Sequence, residues 1–222
     1  MSMRSKVSFK CPKCGQNVEA EQWSAVSGDK NPQQKAKLLD GSLFKAVCRK
    51  CGRVSTVGYP MIYNDMKENY MIWLVYDTEE VGHVTEYFKK SKSGQPDDDS
   101  QEPVDPGCRQ RIVLSPEALR EKIMIFDSGL DDKIVEIMKL AYSKEAQIKL
   151  RGDTIAAALF SNRDGEKQIE MYTEKGKAFV APVSRALYEQ LEDKYGGKAS
   201  YAEDRVYVID DVWAWQLVRQ FQ

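Results

Sequence analysis

Over most of the first ninety positions hydrophobic and polar residues alternate with the period of half-buried strands, not of helices. The stretches "NVEAEQWSAV", "SLFKAVC", "RVSTVGYP" and "NYMIWLVYD" read as strands. The last is the most apolar and is expected to be central in its sheet. One small helix interrupts them at "NPQQKAKLLDG", with Asn31 as N-cap, Pro32 at the first helical position and Gly41 as the left-handed stop. Pro60 is expected to end the strand that precedes it, or to place it at an edge.

Further along, the pattern changes to helical spacing. In "SPEALREKIMIFDSGLDDKIVEIMKLAY" Ser115 caps and Pro116 opens a helix on which Leu119, Ile123 and Phe126 recur on one face. Gly129 breaks the run, and a second helix starts near Asp131 with Ile134, Ile137, Met138 and Ala141 inward. "TIAAALFSN" and "KQIEMYTE" flank a turn at "RDGE" and predict a β-hairpin. "PVSRALYEQLEDKYGG" predicts a helix stopped by glycine, "DRVYVID" a strand, and "DVWAWQLVRQF" a final amphipathic helix. The fold class is therefore α+β: an N-terminal antiparallel β module followed by a C-terminal α+β region. Between them "KKSKSGQPDDDSQEPVDPG" holds three prolines, two glycines and an acidic run, with little to bury. The expected organisation is a first domain over 1–88, a linker or long loop over 89–110, and a second domain over 111–222.

Composition limits the function classes. With 42% hydrophobic residues the chain can bury a core, and its longest apolar runs, such as Met71 to Tyr76, are far short of the roughly 20 residues a membrane helix needs. No signal-type apolar stretch precedes the first cysteine, so a cytoplasmic setting, where thiols stay reduced, is expected. The net charge of −1 conceals a basic block of +7 over residues 1–60 and an acidic one of −6 over residues 61–110. Such blocks either neutralise each other in the fold or mark an acidic partner for the basic end.

The candidate chemistry lies in "KCPKCGQNV" and "VCRKCGRVS". Each is a Cys-x-x-Cys turn followed by glycine, and 33 residues separate Cys14 from Cys48. Zinc takes four thiolates in a tetrahedron, and a Cys-x-x-Cys turn sets two sulfurs on one side of a tight loop. Cys11, Cys14, Cys48 and Cys51 are therefore read as one zinc-ribbon site, the insert between the knuckles accounting for the long spacing. Iron in the same cage has equal ligand chemistry. A glutaredoxin-type redox reading of "CPKC" lacks the βαβ surround and leaves the second pair without a purpose. The zinc-deaminase pattern is not met, since proline follows the first cysteine and the single histidine, His83, comes after the second pair. Four protein ligands leave no open position, so the metal is expected to be structural.

The other reactive residue types have ordinary readings. Cys108 is taken as an incidental, exposed or half-buried thiol and His83 as a surface or core histidine. Trp213 and Trp215 read as packing residues, and Asp131 and Asp132 as helix N-terminal charges. With these residues in hand the chain resembles the CpXC family of prokaryotic proteins, through "CPKCG", "LLDGSLFKAVCRKCG" and "VGYPMIYND"; the segment "IFDSGLDDKIVEIMKL" is similar to what often follows that domain. The resemblance implies a bacterial protein with a zinc-ribbon-like module and brings no catalytic residues with it.

Three function classes follow. The first is a non-catalytic, zinc-stabilised module that presents surfaces to a protein. The second is a nucleic-acid-binding ribbon, in which Lys10, Lys13, Arg49, Lys50 and Arg53 meet phosphates and Trp23 and Phe44 offer stacking faces. The third is an enzyme with its pocket in the C-terminal half, where Asp153, Glu166, Glu170 and Arg185 are the available polar groups.

Overall fold

A computed structural model describes residues 3–92, 107–203 and 207–221. The chain divides into two compact units, Met1–Arg120 and Glu121–Gln222. The fold class is α+β, as expected, with helices and mixed sheets.

The first unit begins with a long hairpin, β1 (Met3–Lys10) and β2 (Asn17–Ser27), followed by helix α1 (Pro32–Leu39). Asn31 is the N-cap by position, but its side-chain oxygen accepts from Ser27 N at 3.3 Å instead of capping α1. Gly41 has the expected left-handed φ of 74°. Of "SLFKAVC" only β3 (Lys45–Val47) is a strand, because Ser42–Phe44 make one tight helical turn that buries Leu43 and Phe44. β3 pairs with β4 (Val54–Thr56) in a small separate sheet. Then come β5 (Met61–Asp65) and β6 (Tyr70–Leu74), each burying every second residue.

Helix α2 (Thr78–Lys92) and strand β7 (Arg109–Val113) complete the main sheet, whose order is β1-β2-β5-β6-β7. Neither was expected from the pattern. The sheet is mixed and not antiparallel throughout, for a reason of connectivity. The chain crosses from β2 to β5 through α1 and the β3–β4 hairpin, and from β6 to β7 through α2. Long crossovers of this kind make parallel neighbours, and β2–β5 and β6–β7 are parallel. β6, expected to be central, has a strand on both sides. Its Trp73 packs against Tyr87 and Phe88 of α2, with ring centroids 5.4 and 6.0 Å apart. Lys89–Lys92 thus continue a helix, and Arg109 onward is sheet; residues 93–106 of the expected linker lie outside the described residues.

At the end of β2 the backbone comes close to a neighbouring side chain. A methyl group on Gly28 would stand 2.0 Å from Tyr63 Oη, so any side chain there requires Tyr63 to move.

The division between units falls inside α3 (Pro116–Asp127), which Ser115 caps by accepting from Ala118 N at 3.1 Å. In the second unit α4 (Asp132–Lys149) is capped by Asp131, which accepts from Lys133 N at 2.9 Å. The predicted hairpin is present as β8 (Ile155–Arg163) and β9 (Glu166–Thr173), turned by Asp164 and Gly165 at positive φ. β10 (Ala178–Pro182) adds a third antiparallel strand, so Pro182 ends a strand and the next helix, α5 (Arg185–Glu203), begins later than expected. α5 also runs through Gly196 and Gly197 instead of stopping there. Tyr207–Ile209 form no strand, and α6 (Asp211–Gln220) follows, capped by Asp210. α4, α5 and α6 share a core in which Ile134, Ile137, Tyr195, Ala199, Trp213 and Leu217 are buried.

This unit also buries a chain of charges. Lys122 Nζ lies 3.2 Å from Asp132 and 2.9 Å from Glu136, and Lys139 Nζ lies 2.9 Å from both Glu136 and Glu121. Glu121 accepts in turn from Phe160 N at 2.6 Å. All five side chains are at least nine-tenths buried. Five such groups are tolerated inside a core because each finds an opposite charge.

Candidate metal centre

The hairpin ends of the first unit build two copies of one loop. In the first, Cys11 N donates to Gln16 O at 2.8 Å and Gly15 N to Cys11 O at 2.9 Å. In the second, Cys48 N donates to Arg53 O at 2.9 Å and Gly52 N to Cys48 O at 2.8 Å. The glycines that close them have φ of 69° (Gly15) and 71° (Gly52), a region costly for other residues. Thus the same five-residue sequence pattern produces the same backbone twice.

The loops bring four sulfurs together. The Sγ atoms of Cys11, Cys14, Cys48 and Cys51 all lie within 4.8 Å of one another, and all four cysteines are free thiols. Two of the separations, Cys11 to Cys51 and Cys14 to Cys48, are 3.6 Å. Metal–sulfur bonds of about 2.3 Å in a tetrahedron require sulfurs roughly 3.8 Å apart. A disulfide would need about 2.05 Å. The four residues therefore fit a single tetrahedral metal ion and not a pair of disulfides. Cys11 and Cys48 are buried with Val18 and Ala46, and Phe9, Ala20 and Val57 pack against that cluster. Cys14 and Cys51 are only half-buried.

The protonation of the cage points the same way. Burial pushes the Cys11 thiol up, but the backbone N–H groups of Lys13 and Cys14, with the Cys51 and Cys14 thiols, hold it at about 6. At Cys48 the N–H of Cys51, helped by that of Lys50 and by neighbouring thiols, outweighs burial and lowers it. For Cys14 the N–H of Gln16 pulls down, yet burial and the three other sulfurs drive it up to about 11. Some sulfurs are thus stabilised as thiolates by the loop amides while another must keep its proton because negative charge accumulates beside it. A divalent cation among the four removes that conflict.

Five of the cations singled out above, Lys10, Lys13, Arg49, Lys50 and Arg53, are exposed on or beside the two loops. None of them has an ion-pair partner among the described residues, whereas Arg4 and Lys6 further along β1 face Glu21 and Glu19. Trp23 does not join them. It stands six residues along β2 from Asn17, roughly 20 Å at about 3.3 Å per residue, and is half-buried. Phe44 is buried and packed on Tyr59, with centroids 5.0 Å apart, so it offers no stacking face.

Beside the loops runs a groove of about 650 Å³ lined by Gln16, Asn17, Val18, Glu19, Val47, Arg49 and Lys50. The sequence pattern did not reveal it, because its walls come from segments about thirty residues apart.

Elsewhere the polar candidates go to separate local contacts. Asp153 accepts from Thr154 N at 2.9 Å and Lys175 N at 3.3 Å, and Arg185 pairs with Glu189 at 2.8 Å. Glu170 is held by Ser161 and Arg163, each at 2.7 Å, and by Tyr172, while Glu166 is exposed. Asp131 caps α4, Asp132 belongs to the buried charge chain, and His83 is exposed on α2. Cys108, expected to be exposed or half-buried, is buried, as is Trp213, and Trp215 is 47% exposed. No helix among the described residues is long and apolar enough to cross a membrane.

Comparison with known proteins adds one result. A family model described as "CpXC protein" matches residues 9–139, or 131 of the 222 residues. The match takes in the four cysteines and all five members of the buried charge chain. No curated protein and no solved structure matches the chain.

Proposed function

The chain belongs to the CpXC family, and from that premise we propose that its first unit is a zinc-stabilised, non-catalytic interaction module that presents a surface to a protein partner in the cytoplasm. One observation carries the reading: four free thiols within 4.8 Å of one another on two matching loops. Cys11, Cys14, Cys48 and Cys51 would hold the ion. Bound there, zinc would cross-link the two hairpin ends and supply folding energy, with no position left for water or substrate. The loop amides orient and stabilise the thiolates, and the small apolar cluster beneath keeps water from Cys11 and Cys48. Free thiols suit a reducing compartment.

Metal analysis of the purified protein tests this directly. The expected result is one zinc per chain, lost in a Cys14→Ser, Cys51→Ser double variant. A folded sample without metal, or with iron in zinc's place, overturns the assignment in whole or in its metal. A second reading, binding to nucleic acid, is favoured by the five unpaired cations around the loops. Filter binding to single-stranded and duplex oligonucleotides at two salt concentrations tests it: retention that falls steeply with salt is expected from that reading, and no retention at low salt rejects it.

A further inference from the structure

Backbone pairing at the two loops leaves specific groups without partners. Cys11 N donates to Gln16 O, so residues 11 and 16 form a hydrogen-bonded pair. In an antiparallel ladder such pairs alternate with pairs that share no bond. With the register Lys10↔Asn17, Phe9↔Val18, Ser8↔Glu19, the N–H and C=O of Val18 and Ala20 face β1. Those of Asn17, Glu19 and Glu21 face the opposite way. Trp23, of the same parity, agrees: its N–H reaches the Tyr59 hydroxyl and not β1. β5 pairs with β2 only from Ala25 to Ser27, so it does not cover this edge.

The second hairpin repeats the situation. Cys48 N donates to Arg53 O, and Val57 N to Phe44 O, which assigns Phe44, Ala46 and Cys48 to the β4 side. The N–H and C=O of Val47 therefore point away from β4, as does the C=O of Lys45, whose N–H donates to Ser42 O. Asn17, Glu19 and Val47 are also groove-lining residues. Unpaired main-chain groups of Asn17 and Glu19 on β2 and of Val47 on β3 thus border one groove of about 650 Å³. An open strand edge is a template for another strand.

Charge selects the occupant. Arg49 and Lys50 stand in the groove wall, and neither has an anionic partner among the described residues. The one acidic group in the wall, Glu19, lies 4.0 Å from Lys6. Among the described residues no exposed aromatic side chain joins the cations to stack with bases, since Trp23 is distant and Phe44 buried.

We propose that this groove binds an extended, acidic segment of a partner protein, which adds as a strand against the free edge of β2 while its carboxylates meet Arg49 and Lys50. The proposal rests on reading the unit as an interaction module and gives that module's partner a chemical class. Main-chain hydrogen bonds supply affinity in such complexes, and the side chains supply selectivity.

The full chain, its metal content measured in the same sample, is titrated with a fluorescein-labelled peptide of about nine residues alternating Thr and Glu. The comparison probes are that peptide N-methylated at alternate amides, its Thr/Lys counterpart, and a single-stranded oligodeoxynucleotide of equal charge. Anisotropy is expected to show binding that weakens about tenfold or more on N-methylation and also in an Arg49→Ala, Lys50→Ala double variant. Amide resonances of Asn17, Glu19 and Val47 are expected to shift. Equal binding of the N-methylated peptide, tighter binding of the oligonucleotide, or shifts confined to other residues would each overturn the proposal. A folded, metal-free sample counts against the zinc assignment alone, and peptide binding by that sample still supports or overturns the groove proposal.

Discussion

Replacing Glu121 and replacing Glu136 are expected to have different consequences, although the two carboxylates sit on the same buried charge chain. Burial pushes Glu136 up, but Lys122 and Lys139 on either side pull it below the ordinary carboxylate value. Burial also raises Glu121, and there Lys139 does not compensate. For the two lysines burial lowers the value, but Glu136 and its neighbours win and raise it. The signs fix the windows. Glu136 stabilises the fold above the usual carboxylate value, and this share is lost as pH falls through its depressed one. Lys122 and Lys139 keep their share until pH rises through their raised values, and Glu121 contributes most when protonated. At neutral pH Glu136→Gln should therefore cost about 3–5 kcal/mol, and Glu121→Gln clearly less, in urea unfolding. Equal losses would contradict the assignment. Gly28→Ala is expected to cost about 1–3 kcal/mol in the same assay, because Tyr63 must move.

At the scale of elements, what could be read beforehand was what local chemistry decides. The two cysteine loops, the Ser115–Pro116 helix start, the Gly129 stop and the Asp164–Gly165 turn each depend on a few adjacent residues. The features that could not be read depend on distant partners. β7 is a strand because it lies along β6, and α2, despite Gly82 in its interior, is held by contacts of Tyr87 and Phe88 with Trp73. Likewise α5 continues past two glycines because Tyr195 and Ala199 are buried against α4 and α6, which outweighs about 1 kcal/mol per glycine. The buried charges were hidden in the same way, since Glu121, Lys122 and Lys139 look like an ordinary solvated face until their neighbours are known. A consequence can be measured. Gly197 is exposed and a methyl group there meets nothing within 4 Å. Gly197→Ala should raise stability by up to about 1 kcal/mol, seen as a higher melting temperature, and a loss instead would mean the glycine is required.

For the molecule as a whole, the four sulfurs sit in one unit while the other has its own apolar core and ion pairs. Structural zinc in small peptides contributes on the order of 10–16 kcal/mol, against about 5–15 kcal/mol for the net stability of a domain. Calorimetry with and without a strong chelator should therefore show two transitions, of which only one moves to lower temperature when metal is removed. A single transition that ignores the chelator would refute a structural metal.

The last strand of the main sheet has a practical corollary. β6 ends at Leu74 and β7 begins at Arg109, so 34 residues are made before that edge acquires its neighbour. Until then Tyr70–Leu74, the most apolar strand, offers unsatisfied main-chain groups to any other polypeptide. During biosynthesis this is an interval of vulnerability to clumping. Anyone trimming the gene to isolate the cysteine-bearing end should cut beyond Val113, since a shorter fragment would keep that interval open permanently.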